Sequence, residues 1–584
     1  RRRGCATEVL VARRVKQAAD TDIRPLVALE QRTGREFEFF VHQPSAEPIR
    51  AETALGWLQA GHPIWHEVAV WQAQPALPRE TLRLRRALHE LGAAHLLDEL
   101  DLGANSQEQL DFVAHLAERL ARDPLIPYAH EAGDAAFRRL IARYLERFFD
   151  LRLHEREIFV APEREQAIYS LLLSCCDPGD GVLISRNVHA TYARALEKAG
   201  VRATVTNNTL REIKRLLTAF DVRMVILSVE ASERSNASAL REIIDEAAAR
   251  GILVVLDESP FFHITSDVEP HTLFEFLARE PHRPNLVVLY GLIKNAVFPD
   301  YELTLLLPVP ERLHADLEVA AEVTYSRIGT PVQWFYERLF EELLSFRISF
   351  AAAAGPGERR APLAPLPRSR RIERIAAWPA FAPKIFREDD PALIRLDYGE
   401  NEGPVPQALA EGLVAAAAVP RTAEPEHGLE EAIAAFLLET RGVRYGREEI
   451  ALGQGVWPLI HDLALALRAE LGRTPRFFVA TPCYGVLPPT LDAADAQVEL
   501  GPLASLYGLA PAPDAVVISQ PANPEGTYLS REELVALAAW AAEHRCRIVS
   551  DEIFGLINLT HPSAETVRSP VTLEQAVPGI GALT

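Results

Sequence analysis

Cysteine is scarce: Cys5, Cys175, Cys176, Cys483 and Cys546 are the only five in 584 residues. The set is odd and has no C-x-x-C spacing, which argues against a disulfide framework or a zinc site and for free thiols buried in a reducing cytoplasm. Long apolar runs are also missing. None approaches the ~20 residues that span a bilayer, so no membrane partner is expected. No signal peptide accompanies the N-x-[ST] triplets at Asn207, Asn236 and Asn558, which read as chance matches. Positive charge is in deficit, with 61 Lys and Arg against 81 Asp and Glu. The formal charge of −20 argues against a nucleic acid held through its phosphates. The chain opens Arg1-Arg2-Arg3 without methionine and closes Gly581-Ala-Leu-Thr584 without a helix stop, so it is expected to be cut from something longer.

What is present suits a soluble globular protein of several folding units: 48% hydrophobic and 24% charged residues in a chain roughly four times the ~150-residue domain norm. Arg223-Met-Val-Ile-Leu-Ser228, an amphipathic stretch from Ser238 to Arg250 and Ile252-Leu-Val-Val-Leu-Asp257 read as strand, helix and strand of a parallel sheet covered on both faces. The plan returns as Ala515-Val-Val-Ile-Ser519, a helix from about Ser530 to His544, and Arg547-Ile-Val-Ser-Asp551. Ser530 and Glu533 form a capping box at that helix start. Upstream, Ile158-Phe-Val-Ala161 and Ile450-Ala-Leu-Gly453 look like corresponding strands. Ile158 and Asp257 are 99 residues apart, Ile450 and Asp551 are 101, and the copies are offset by 292 and 294. Two copies of one α/β domain are therefore expected. Between them, the Pro-, Ala- and Arg-rich stretch 351–390 reads as a linker that cannot pack.

The chemistry lies at the strand ends of the second copy. Ser519 runs into Gln520-Pro-Ala-Asn523-Pro524-Glu525-Gly526, and the next strand ends at Asp551-Glu552. Ligands of parallel sheets sit beyond the carboxyl ends of strands, so Asn523 and Asp551 are expected to face one crevice. A buried carboxylate there needs a cationic or proton-bearing partner, which a protonated pyridine nitrogen can supply. Gly453-Gln-Gly455-Val456-Trp457 leads into an apolar helix, a place where backbone amides hold phosphate. Tyr484, after the strand Arg476 to Thr481, puts an aromatic ring where it can stack on a planar cofactor.

This order of features resembles the large domain of fold-type-I aminotransferases of class I/II, with Asn523-Pro524-Glu525-Gly526 and Ser550-Asp551-Glu552 as its most specific pieces. The resemblance implies pyridoxal 5'-phosphate, an amino acid substrate, and a cofactor-carrying lysine downstream of the Asp. In the first copy Lys294 follows Asp257 by 37 residues; the same spacing after Asp551 gives position 588. The first copy departs from the pattern. It has Glu230-Ala-Ser-Glu-Arg-Ser-Asn236 in place of Asn-Pro, Glu163-Arg164-Glu165 near the phosphate position, and Phe298-Pro-Asp300-Tyr301 after Lys294. His189 and Tyr192 are its candidate stacking rings, and Asp257 remains. Two carboxylates repel a phosphate dianion, so this copy is expected to be a degenerate scaffold. In the second copy, Pro458 lacks an amide donor and Phe554 lacks the hydroxyl usual in the family.

Gln17-Ala-Ala-Asp-Thr-Asp22-Ile23, Phe37-Glu-Phe-Phe-Val41, Glu47-Pro48-Ile49 and Gly291-Leu-Ile-Lys-Asn295 look like the region after the methyltransferase domain of methionine S-methyltransferases. That resemblance covers about residues 8 to 580. It implies an α/β chain in which 1–22 is the tail of a Rossmann-like, S-adenosylmethionine-dependent methyltransferase domain and 23–125 a connecting region. Residues 126–350 are then the first, degenerate aminotransferase-like domain, 351–390 the linker and 391–584 the second domain. The tandem copies are expected to form an intramolecular pseudo-dimer or a homo-oligomer. The alternative is a noncatalytic amino-acid-binding or assembly module that has lost the cofactor.

Overall fold

The computed structural model describes residues 129–189, 191–206, 209–228, 237–258, 273–279, 283–291, 303–345, 364–382, 406–409, 412, 428–555, 573–577 and 580, with strand segments at 9–15, 36–41, 49–50 and 66–71. Those segments, β1 (Val9–Val15), β2 (Glu36–Val41), β3 (Ile49–Arg50) and β4 (His66–Trp71), form an antiparallel sheet in the order β1-β4-β2-β3. β1 therefore shares a sheet with strands of the segment 23–125, across the boundary expected at residue 22.

The chain divides into two compact units. One comprises Arg1–Ala315, Arg327–Pro367 and Ala392–Arg421, the other Asp316–Ser326, Arg368–Pro391 and Thr422–Thr584. The first carries the sheet of β5 (Phe159–Ala161), β6 (Gly181–Ser185), β7 (Arg202–Thr206), β8 (Val222–Ser228), β9 (Leu253–Glu258), β10 (Leu286–Gly291) and β11 (Thr304–Leu307). Its order is β5-β11-β10-β9-β8-β6-β7, with only β11 running against its neighbours. The central strands are apolar along their length because helices cover both faces; Val225, Val254, Leu256 and Val288 are fully buried in one core cluster.

The second unit repeats part of this plan with β12 (Arg476–Ala480), β13 (Gln497–Gly501), β14 (Ala515–Ser519) and β15 (Arg547–Asp551), parallel throughout and ordered β13-β12-β14-β15. That matches β7-β6-β8-β9 strand for strand. Even the register agrees: Ser228 lies opposite Asp257, and Ser519 opposite Asp551. Ser530 caps the helix Arg531–His544, its hydroxyl accepting from the Glu533 amide while the Glu533 carboxylate accepts from the Ser530 amide.

Two expectations are corrected. Ile450–Gly453 is not a strand; a short 3₁₀ turn at Arg447–Glu449 precedes it and an irregular stretch follows. In the first copy β5 pairs with β11, and among the described residues of the second unit no strand stands in the place of β11, so the segment has no ladder to join. Nor is 351–390 unpackable throughout. Arg370–Ala376 is a helix whose Arg371, Ile372 and Ile375 are buried. No proline falls between Pro367 and Pro379, Ser369 caps the helix through the Ile372 amide (2.9 Å), and the two isoleucines share a face at i, i+3.

What holds this helix is charge. Arg371 reaches Asp495 at 3.2 Å, Arg374 reaches both Asp492 and Asp495, Arg468 reaches Asp495 at 3.2 Å, and the Trp378 indole donates to Asp492 at 2.8 Å. An open groove of about 610 Å³ lies over Arg374, Trp378 and Asp492, all of which are engaged in these contacts.

Among the described residues the four cysteines are free thiols, three of them buried. Burial pushes the Cys546 thiol up to about 12. It is expected to resist iodoacetamide at pH 8 until the protein is unfolded; peptide mass spectrometry of native and denatured samples checks this. Among the described residues no helix is long and apolar enough to cross a membrane, and no three His, Cys, Asp or Glu side chains are gathered as a metal would need.

Candidate active site

In the second unit β14 and β15 end side by side, and the Gln520 amide donates to the Asp551 carbonyl at 2.8 Å, so the chain leaves both strands at the same level. The Gln520 side chain is buried, and its Oε1 accepts from the Leu529 amide at 3.0 Å, closing the intervening loop. Within that loop the Ala522 amide donates to Thr527 and the Gly526 amide to Ala522, with Gly526 at φ 70°. These bonds fix Asn523, which is half-buried.

Asp551 is half-buried, and burial raises its carboxyl above the ordinary range. Its side chain accepts from the Ile553 amide at 3.3 Å, and among the described residues no cation pairs with it. The neighbouring Glu552 is occupied, taking the Arg441 guanidinium and the Ser550 hydroxyl. Among the described residues Asp551 is thus the strand-end acid without a cation.

Gly455 is the N-cap of the helix Val456–Leu471, at φ 88° with open space where a Cβ would stand. A side chain there would be strained, and the first-turn amides of Val456 and Trp457 have no intrahelical acceptor. Pro458 has no amide to add. Trp457 and Tyr484 come together as a parallel pair, centroids 5.3 Å apart and planes 7° from one another. One face of the expected stacking ring is therefore covered by tryptophan. Phe554 lies on the turn after β15, 38% exposed.

The first unit has the same frame filled differently. Asp257 is 1% exposed. The Tyr192 hydroxyl donates to its Oδ2 at 2.9 Å, and the Arg164 guanidinium lies 3.8 Å from its Oδ1. Burial raises the Asp257 carboxyl, opposed by Arg164 and by the Tyr192 hydrogen bond; Tyr192 itself is pushed up by burial and by Asp257. Glu163 stands at the N-cap of the helix Arg164–Cys175 without a side-chain capping bond, and burial raises its carboxyl, aided by Glu165. Tyr192, a candidate stacking ring, is instead a fully buried donor. Lys294 and the side chain of His189 lie outside the described residues.

Arg164 is the residue that the sequence reading missed. Glu163-Arg164-Glu165 reads there as two acids hostile to phosphate, yet the cation between them partners the buried Asp. The signal was available: Asp257 needed a cation, and Arg164 stands 292 residues before Val456.

Duplicated mostly parallel sheets with Asp-bearing strand ends, joined in the second copy by Asn523, define an aminotransferase-like α/β architecture. The chain belongs to the aminotransferase class I and II family, whose profile matches residues 98–299 and 393–580, more than half its length. It is similar to the methionine S-methyltransferase of Zea mays, 24% identical over 95% of this chain and 53% of the relative. The Hordeum vulgare methionine S-methyltransferase is 23% identical over 94% and 53% respectively. The chain thus spans about half the length of these curated relatives. It is also 33% identical to a Streptomyces rimosus 4-dedimethylamino-4-oxo-anhydrotetracycline transaminase, over 28% of this chain and 45% of that protein. These relatives place it, at that coarse level, among the transferases.

Proposed function

We propose that the second copy is a pyridoxal-phosphate-binding, amino-acid-recognising module of a methionine S-methyltransferase-like protein. The observation that carries the reading is Asp551: a strand-end carboxylate raised by burial and, among the described residues, without a cationic partner, beside the braced Asn523 loop. On this reading the Val456 and Trp457 amides, with Gly455 opening the approach, hold the phosphate. Tyr484 flanks the ring through the face that Trp457 leaves uncovered, Asn523 donates to the ring oxygen, and Asp551 keeps the ring nitrogen protonated. When bound, the cofactor supplies a cationic ring that can take up an electron pair from an amino acid's α carbon. Asp551 maintains that cation by accepting its N–H.

The whole protein on this reading converts S-adenosylmethionine and L-methionine into S-methyl-L-methionine and S-adenosylhomocysteine in the cytoplasm. Its methyl donor binds in a methyltransferase domain of which residues 1–22 are the tail. A thioether acceptor has no proton to lose, so that step needs alignment and exclusion of water rather than a general base. Pro458 and Phe554 favour a second reading, in which the module binds an amino acid or aids assembly without catalysing.

The test uses 4'-deoxypyridoxine phosphate, which lacks the aldehyde and cannot label lysines. It is expected to quench tryptophan fluorescence saturably through Trp457, and Asp551→Ala is expected to weaken binding about 10- to 100-fold, the worth of a hydrogen bond to a charged group. Equal binding by Asp551→Ala and the parent would overturn the assignment of Asp551, and no binding by either would sink the cofactor reading.

A further inference from the structure

We infer that the first copy has closed its cofactor site with its own side chains, Arg164 standing as the cation opposite Asp257, so that this copy takes no pyridoxal phosphate and serves as a fixed scaffold. The inference uses the duplicated frame and does not depend on whether the second copy binds the cofactor.

Four correspondences carry it. Asp257 and Asp551 end matching strands in matching register, opposite Ser228 and Ser519. Arg164 and Val456 each begin the helix that follows the copy's first segment, at the same 292-residue offset that relates Glu157 to Glu449. Where Gly455 leaves the helix start open, Glu163 brings a half-buried carboxyl to the corresponding place, the one a phosphate dianion would take. Tyr192 and Tyr484 are also 292 residues apart; the first is fully buried with its hydroxyl on Asp257, and the second is 37% exposed.

Gly291, at the end of β10, makes the closure possible. A Cβ there would lie 2.5 Å from the Arg164 Nε, so any other residue would push the guanidinium out of this position. The result is a largely buried cation 3.8 Å from a fully buried anion. A pyridinium entering this site would have to displace the guanidinium, and its phosphate would meet the Glu163 carboxyl. Both substitutions oppose the same ligand from its two ends.

Asp257 is faced, among the described residues, by the Arg164 and Tyr192 side chains alone of the titratable groups; Lys294 follows β10 outside them. With Arg164 removed, Asp257 keeps only the tyrosine hydroxyl, and its folded-state carboxyl rises further above its unfolded value. Stability is then retained at low pH, where the acid is protonated in both states, and lost as pH rises.

Two measurements test this in the full chain. Equilibrium dialysis with 4'-deoxypyridoxine phosphate is expected to give at most one molecule per chain, its affinity lowered about 10- to 100-fold by Asp551→Ala. Two per chain, one of them lost in Asp257→Ala, overturns the inference. Arg164→Met is expected to lower Tm by about 5–10 °C at pH 8 and by much less at pH 5, with Asp257→Asn added to it restoring most of the loss. An equal loss at both pH values without rescue would mean that Arg164 only fills space, and overturns the inference as well. If Arg164→Met does not fold, recovery of folding by the double variant supports the pair, and its failure counts against it. Zero bound ligand defeats the cofactor reading of the second copy and leaves the stability arm to decide this one.

Discussion

Alanine at Phe137 is expected to cost about 3–5 kcal/mol, whereas alanine at Leu429, the position 292 residues further on, should change stability by about 0.5 kcal/mol or less. The two residues occupy the same place in matching helices, Ala135–Phe149 and Gly428–Arg441, each ending at a positive-φ residue, Asp150 and Gly442. In the first helix Phe137, Ile141 and Leu145 follow one another at i, i+4 and i+8, and all are fully buried. The helix Thr330–Ser345 supplies the cover: the Phe340 ring lies 6.1 Å from Phe137 and 5.1 Å from Tyr144. In the second helix the matching Leu429, Ile433 and Leu437 include no buried residue, and Leu429 is 58% exposed. Truncating a buried phenylalanine leaves a cavity as well as losing transfer energy; truncating an exposed leucine does neither. Urea unfolding of the two variants measures the contrast. A Leu429→Ala loss as large as that of Phe137→Ala would show that this face is covered in solution.

The second large effect is expected at Asp495. Three guanidinium groups converge on its carboxylate, and Arg371 is only 1% exposed. Its backbone sits at φ 58°, where glycine is at ease, so Asp495→Gly removes the carboxylate without adding strain. The expected loss is about 3–5 kcal/mol, because a buried arginine is stripped of this counter-charge. Arg371→Met is expected to cost only about 1–2 kcal/mol, since Asp495 keeps Arg374 and Arg468 and the buried position accepts an apolar side chain of similar length. The asymmetry is the test: thermal unfolding in which Arg371→Met is the worse of the two would show that the arginine, not the acid, organises the cluster.

Much of the frame was legible because it rests on local signals. Apolar runs ending in Ser and Asp read as parallel strands, Ser530 and Glu533 gave a helix start, and the repeat offset joined the copies. The errors share a cause. Whether Ile450–Gly453 pairs depends on a strand far away in the chain, and whether Arg370–Ala376 packs depends on Asp492 and Asp495, about 120 residues later. Composition carries no such information. The same holds for the site. Asn523, Asp551 and Gly455 could be read from their places at strand ends and a helix start, but the Trp457–Tyr484 stack and the Arg164–Asp257 pair are tertiary contacts between residues 27 and 93 positions apart.

The helix Arg370–Ala376 also bears on how the chain can be divided for study. Composition invites a cut near residue 390, after the last of the clustered prolines, but that cut would take Arg371 and Arg374 away from the unit whose Asp492 and Asp495 they neutralise. The piece left behind would carry Asp492 without its guanidinium, Asp495 with Arg468 alone, and the raw apolar surface under Ile372 and Ile375. Its failure to fold would say nothing about the rest of that unit. A cut upstream of Ser369 keeps the cap, the helix and the charge cluster on one polypeptide.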